Sequence, residues 1–346
     1  MQKGHLLLDP TTAICGLILV AFTCGLLASC VPPADRASPS RIDYLDDAAL
    51  KVLWAIEFGS AELPWNMEVF NGALIVYVGG RGSEGLVALE PNSGNRLWTA
   101  ELAFTEAGDV ALAADANTLV GASGTVAYAV DSNGGVRRWT QQLGDGHVAS
   151  VPQVDGSIVR VYYGDEIIEI SVLDGLILGR RAMLDSVWVV GELELQQPKP
   201  GRLVGIRQSA ASPDWDTSHV PLQVKSVWKL PQAIGSNDLV AAIQNNGFCR
   251  LNLADGTDDW CLEGRFISNL AMDRQRNNGY VLTNDFSMLS FDLDTGAITT
   301  ETHIFRAMPD SSRAKETHRY LVSALDGNVY VMFSDSRELV ALRLGE

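Results

Sequence analysis

The chain has 346 residues, of which 47% are hydrophobic and 20% charged, with a formal net charge of −16 at pH 7. That composition is globular rather than disordered, and the acid excess argues against nucleic acid, whose phosphates call for cationic surface. The length suits one large β domain or two ordinary ones.

Residues 1–29 have the pattern of an export signal. Ala13 to Ala28 is an apolar run of 16 residues after a short leader holding Lys3. It suits a signal-peptide core and falls short of the ~20 residues a spanning helix needs. The run ends in Leu27-Ala28-Ser29-Cys30, which resembles the lipobox of bacterial lipoproteins. The resemblance implies an acylated Cys30 as the first mature residue, and Val31 after it implies delivery to the outer membrane of a Gram-negative host. Residues 30–43 are then the lipidated cysteine and a flexible tether, with a Pro-, Ser- and Ala-rich stretch over Val31 to Ser40.

The remainder, 44–346, is expected to be one all-β domain. Ala49 to Phe58 is a strand pattern holding Trp54, with no hairpin before it. Gly85 to Trp98, GLVALEPNSGNRLW, then reads as a strand, a Pro-Asn-Ser-Gly turn and a second strand. The same hairpin returns around Gly135 (ending at Trp139), Gly175 (with Gly179 in the Trp place), Gly256 (ending at Trp260) and Gly296 (ending at Thr300). Counted from Gly94, the intervals are 41, 40, 81 and 40 residues, the long one being a double step. A β unit with a period near 40 is the signature of a β-propeller, and no window shows the sustained 3.6-residue period of a helical solenoid.

Seven units follow: about 62–103, 104–143, 144–184, 185–230, 231–264, 265–306, and 307 to the end. The fourth is irregular. It is read as strands near Val187–Leu195 and Arg202–Arg207, a polar insertion over Gln208–Pro221, and a last strand over Val224–Leu230 with Trp228. The seventh lacks its fourth strand: Asn328–Leu344 parallels Leu74–Glu90, the second and third strands of the first unit. Lys51–Phe58 is expected to supply the missing strand. The prediction is a single propeller of about seven four-stranded blades, closed by the N-terminal strand.

GLVALEPNSGNRLW, YAVDSNGGVRRW and RLNLADGTDDW resemble the PQQ-like propeller repeat. A lipoprotein of this size built of that repeat alone resembles the BamB outer-membrane assembly family, whose members have eight blades. The resemblance implies a protein-binding scaffold at the cell envelope that serves outer-membrane protein assembly. Two alternatives stand beside it: a sensor of small molecules or glycans, and a quinoprotein-like enzyme with its site in the channel.

Motifs of catalysis are sparse. Gly80-Arg-Gly82-Ser-Glu-Gly85 spells GxGxxG but joins two strands, where no helix N-terminus can receive a pyrophosphate. Asp292-Leu-Asp294-Thr-Gly296 begins like a calcium loop without its later ligands and is read as a turn. His147, His219, His303 and His318 are scattered among the units, and the adjacent Cys pair of quinoprotein dehydrogenases is missing from the sequence. No catalytic residue, metal ligand or cofactor is therefore assigned. Cys249 and Cys261 flank the turn at Ala254–Thr257 and face each other across a hairpin, which favours a disulfide in an exported protein. Trp215, between Asp214 and Asp216 in the polar insertion, has no slot in the repeat. These three residues are the candidate partner-binding site. The expected protein is a monomeric propeller, bound to membrane by its lipid and to an envelope protein by this loop.

Overall fold

The structure, a computed structural model, describes residues 40–46, 50–60, 62–79, 84–102, 111–115, 117–145, 152–182, 187–190, 193–199, 202–207, 215–217, 232–234, 238–242, 247–305, 320–333 and 336–344. They form seven four-stranded antiparallel sheets, each a blade of one propeller.

Strand β1 (Leu50–Glu57) is set aside for the end of the ring. Blade 1 is β2 (Leu63–Phe70), β3 (Ala73–Gly79), β4 (Glu84–Leu89) and β5 (Arg96–Leu102). Blade 2 is β6 (Ala111–Asp115), β7 (Thr118–Ser123), β8 (Val126–Asp131) and β9 (Arg137–Gln142). Blade 3 is β10 (Gln153–Asp155), β11 (Ile158–Tyr163), β12 (Glu166–Ser171) and β13 (Ile177–Ala182). Blade 4 is β14 (Val187–Val190), β15 (Leu193–Lys199), β16 (Arg202–Arg207) and β17 (Trp215–Thr217). Blade 5 is β18 (Gln232–Ile234), β19 (Asp238–Ala242), β20 (Phe248–Asn252) and β21 (Asp258–Leu262). Blade 6 is β22 (Ala271–Asp273), β23 (Asn278–Leu282), β24 (Ser287–Asp292) and β25 (Ile298–His303). Blade 7 is β26 (Tyr320–Leu325), β27 (Asn328–Phe333) and β28 (Glu338–Leu344), with β1 added outside β28.

The closing strand pairs from Leu50 with Leu344 to Glu57 with Glu338, slipping once between Val52 and Trp54. The predicted closure of the ring is thus the observed one.

The apolar core lies in the seams between blades. Phe286, Tyr320 and Phe333 sit between blades 6 and 7, Met67, Val76 and Met332 between 7 and 1, and Tyr77 and Tyr128 between 1 and 2. Middle strands are covered on both faces, so β3 and β27 are buried from end to end and read as unbroken apolar runs. Outer strands show water on alternate residues, as β13 does.

The recurring hairpin has a physical reason. Gly94, Gly135, Gly175, Gly256 and Gly296 all have φ between 66° and 74°, a left-handed conformation that costs other residues about 1–2 kcal/mol. Each of these N–H groups donates to the carbonyl four residues back, as Gly135 does to Asp131 at 2.9 Å. At several turns a side chain caps the loop: Asp131 Oδ1 accepts from the N–H of Asn133 and Gly134, and Asp292 Oδ1 from those of Asp294 and Thr295. Asp292 is therefore a turn cap, in agreement with the sequence reading.

The tryptophan of one blade lies on the turn glycine of the next. A Cβ on Gly94 would stand 2.8 Å from Trp54, on Gly135 2.5 Å from Trp98, on Gly175 2.7 Å from Trp139, and on Gly296 2.7 Å from Trp260. Each indole N–H then donates to the carbonyl three residues before that glycine: Pro91 at 2.8 Å, Ser132 at 3.0 Å, Val172 at 2.8 Å and Leu293 at 3.0 Å. Glycine is needed at these turns twice over, for its φ and for the indole above it.

Blade 4 corrects the sequence reading. Its fourth strand is Trp215–Thr217, with Trp215 opposite Gly205. Trp215 therefore belongs to the ladder, and Gln208–Pro221 is not a free insertion. The error came from giving the fourth-strand slot to Trp228, which lies outside the described residues, as do Asp214 and the whole of 1–39.

Because the strands alternate in direction, the ring has two unlike faces. One, the hairpin face, carries the first-to-second and third-to-fourth strand connections of blades 1 to 6 and the first-to-second turn of blade 7. The other, the crossover face, carries the second-to-third turns and the passages from blade to blade.

Candidate functional site

Three places on the ring bear on function: a cavity at the channel, a cystine hairpin, and an apolar hairpin tip. The cavity has a volume of about 380 Å³ and lies among the inner strands of blades 1, 6 and 7. Asn269 bridges two of these blades, accepting the Val322 N–H at 2.8 Å and donating to its carbonyl at 2.9 Å. Asp273, 2% exposed, accepts the Gly327 N–H at 2.6 Å and is thereby committed to structure. Glu68 lines the same space. Channel water reaches its side chain although protein surrounds it, and burial pushes its carboxyl up to about 7. Nothing in the sequence marks Glu68, since its surroundings come from blades 200 residues away.

In blade 6 the hydroxyl of Ser287 and Nδ1 of His303 are 2.8 Å apart, a pairing that nucleophilic enzymes use. Ser287 is fully buried, so no substrate reaches its oxygen, and the pair is a cross-strand contact of β24 and β25.

Cys249 and Cys261 are direct partners of β20 and β21. Their Cα atoms are 4.1 Å apart and their sulfurs are bonded. With Asp258 they form a group whose ligand atoms lie within 4.8 Å of one another, but sulfurs bonded to each other offer no thiolate to a metal.

The third place was not foreseen. Around the turn of blade 3, Leu173, Leu176 and Leu178 are 81%, 61% and 57% exposed. At equivalent turns the chain uses Asn92-Ser93, Asn133-Gly134, Ala254-Asp255 and Asp294-Thr295, and Leu97, Val136 and Ile298 beside these turns are single exposed apolar residues. Leucine-Asp-Gly-Leu-Ile-Leu in such a place is the signal that went unweighed. Three large apolar side chains on one solvent-facing tip are unusual for a monomer surface and mark an interaction site. In β13, Gly179 takes the place where blades 1, 2 and 5 have tryptophan. Asp216 of the neighbouring blade is exposed as well, and β17 begins at the end of blade 4 that belongs to the hairpin face. The sequence candidates divide accordingly: Cys249 and Cys261 are brought together, Trp215 and Asp216 lie on β17, and Cys30 and Asp214 fall outside the described residues.

Comparison with known proteins agrees with this architecture. The family model described as outer membrane protein assembly factor BamB matches residues 83–216. Among curated proteins none matches the chain in sequence. Solved structures similar to it include BamB from Moraxella catarrhalis, at 13% identity and a TM-score of 0.55, covering 86% of this chain and 98% of that one. The β-propeller domain of Cps50 (Swd1) from Myceliophteria thermophila is similar at 9% identity and a TM-score of 0.62, covering 86% and 100%. The WD40 β-propeller domain of Doa1 gives 10% and 0.57, covering 86% and 97%. At these identities the structural likeness speaks for the fold alone, while the matched repeat region carries the family resemblance. The chain is a β-propeller whose residues 83–216 resemble BamB.

Proposed function

We propose that this protein is a non-enzymatic scaffold of the bacterial cell envelope, held by a lipid on Cys30, that binds a protein partner in outer-membrane protein assembly. The observation that carries the reading is the leucine tip of blade 3. A propeller needs polar residues at its turns to stay soluble, and this turn exposes Leu173, Leu176 and Leu178 instead. An apolar tip on a rigid ring is what a partner's apolar segment would cover. The family match to an outer-membrane assembly factor supports the choice of process, and the lipobox-like Leu27–Cys30 supports the anchor. Asp216, on β17 of the adjoining blade, would border the same contact.

The test is co-purification from membranes of the native host. The wild type is expected to bring down the β-barrel assembly machinery, and Leu173→Ser with Leu176→Ser and Leu178→Ser is expected to lose it at an unchanged melting temperature. Equal recovery with the triple variant would place the interface elsewhere. Recovery of no envelope protein by the wild type would end the scaffold reading.

A second reading, a small polar ligand in the channel, draws on the cavity beside Glu68. Under it a ligand would raise the melting temperature and Glu68→Gln would abolish that rise.

A further inference from the structure

We propose that the channel cavity of blades 1, 6 and 7 takes a primary alkylammonium group, seated on the Glu68 carboxylate with its hydrocarbon against Val69, Met272 and Leu325. The proposal rests on the reading of the channel as a site for a small polar ligand, and it names the chemistry of that ligand.

The cavity of about 380 Å³ is walled by the inner strands β2, β22 and β26, and β26 packs against both of the others. Most of its polar side chains are already committed. Both oxygens of Asp273 accept backbone donors, the Gly327 N–H at 2.6 Å and the Arg276 N–H at 3.3 Å. The amide of Asn269 is taken by Val322 and Leu270. Glu68 differs. Among the described residues no hydrogen-bond donor and no cation meets its carboxylate. Glu338, the buried carboxylate of blade 7, by contrast accepts the Arg41 N–H and the Ser40 and Ser336 hydroxyls.

A carboxylate set among protein atoms without a donor calls for a proton or for a ligand. Burial alone pushes the Glu68 carboxyl up to about 7, so near neutral pH it is divided between its protonated and charged forms. Arg274, in the exposed turn after β22, lines the same cavity but leaves no mark on that titration. The titratable groups facing Glu68 are thus Arg274 and the committed Asp273 of blade 6. From blade 7, β26 presents Val322, Ser323, Ala324 and Leu325, none of which titrates.

The donor set selects the kind of cation. A calcium ion needs six or more oxygens, and one uncommitted carboxylate cannot supply them. An ammonium needs an anionic acceptor and neutral ones for its remaining N–H bonds. Ser323 adds a hydroxyl from β26. Val69, Met272 and Leu325 are half-buried and give apolar surface to a short alkyl chain. The volume is at the small end of ligand pockets, which suits an amine of a few carbons. The net charge of −16 draws cations toward the ring. Such a group arrives on a free polyamine or at the end of a lysine side chain.

The test is isothermal titration of the full-length protein in detergent with cadaverine, with Nα-acetyl-lysine amide, and with pentanol and glucose as neutral probes. Both amines stay charged between pH 6 and pH 8. They are expected to bind about tenfold more tightly at pH 8 than at pH 6, following the ionised fraction of a carboxyl that titrates at about 7. Glu68→Gln is expected to weaken both by about tenfold or more and to remove the pH dependence, with an unchanged circular dichroism spectrum. Tighter binding of the lysine amide would assign the group to a partner's side chain, and tighter binding of cadaverine to a free polyamine. Pentanol binding as well as the amines, or amine binding indifferent to pH and to Glu68→Gln, would overturn the proposal. Glucose binding without amine binding would overturn the ammonium and leave the channel reading standing, whereas binding of no probe would end both.

Discussion

The seam between blades 2 and 3 offers a sharp test of how the ring is held together. Trp139 is 8% exposed, its indole covers the turn at Gly175, and its N–H reaches the Val172 carbonyl at 2.8 Å. Trp139→Ala removes the packing and the hydrogen bond together, and large-to-small changes of this kind cost about 3–5 kcal/mol. Gly175→Ala attacks the same contact from the other side. Its φ of +74° costs about 1–2 kcal/mol in any background, and its new Cβ would stand 2.7 Å from the indole, forcing the ring to move. In a chain that already has Trp139→Ala, the second penalty disappears and only the backbone term is left. The two substitutions should therefore be non-additive, with the double variant more stable than the sum by about 0.5–3 kcal/mol, the range seen for residues in contact. Urea unfolding followed by far-ultraviolet circular dichroism reads the four proteins. Strict additivity would show that the indole and the glycine do not bear on each other.

Trp215→Ala is expected to lower the urea midpoint as Trp139→Ala does, because Trp215 opens a fourth strand; an unchanged midpoint would return it to the list of surface residues. Replacing Cys249 and Cys261 by Ser opens a loop whose ends are 12 residues apart, which the chain-entropy model values at about 3 kcal/mol. Thiol counting on the unreduced, denatured wild type should find neither sulfur free. Glu338→Ala leaves the Arg41 N–H and two hydroxyls without their acceptor, about 1–3 kcal/mol for each buried group. Protease cleavage near residue 40 should rise in parallel. For Glu68 the folded protein holds the proton more tightly than the unfolded chain does. Stability linked to this group is therefore complete below pH 4.5 and is lost as pH rises toward about 7. Glu68→Gln should flatten the pH dependence of melting between those values, whereas Asp131, Asp255 and Asp292, whose carboxyls hydrogen bonds hold below the ordinary range, act only at lower pH.

Much of the ring was legible because its punctuation is local. Gly94, Gly135, Gly175, Gly256 and Gly296 satisfy a backbone requirement within their own hairpins, so their spacing survives in the sequence. The closing strand was legible for a related reason: Asn328–Leu344 matched two strands of blade 1 and left one edge unpaired. Blade 4 differs from the sequence reading because the spacing that identifies its fourth strand runs from one blade to the next and is not local. Trp54, Trp98, Trp139 and Trp260 precede the glycines they cover by 40, 37, 36 and 36 residues, and Trp215 precedes Gly256 by 41, against 28 for Trp228. That interval has meaning only once the docking of blade on blade is known. The leucine tip was hidden by the ordinary expectation that apolar residues go inside. At Leu173 the middle of a polar turn should have outweighed it. Glu68 carries no local pattern, since its carboxyl is perturbed by strands far away in the chain.

The union of β1 with β28 has a consequence for the order of events during synthesis. Leu50 and Leu344 are partners 294 residues apart, and joining ends at that distance costs on the order of 5 kcal/mol in chain entropy. Blades 1 to 6 can each assemble from contiguous chain, but the last sheet waits for the seven residues of β28 to arrive. Until then β1 is an unclaimed edge, and it is synthesised before any of the other strands. A chaperone that shields such an edge would act on residues 50–57, and a chain shortened by β28 alone should accumulate as an open, sticky ring with six sound blades. The last strand made is the one that locks the first.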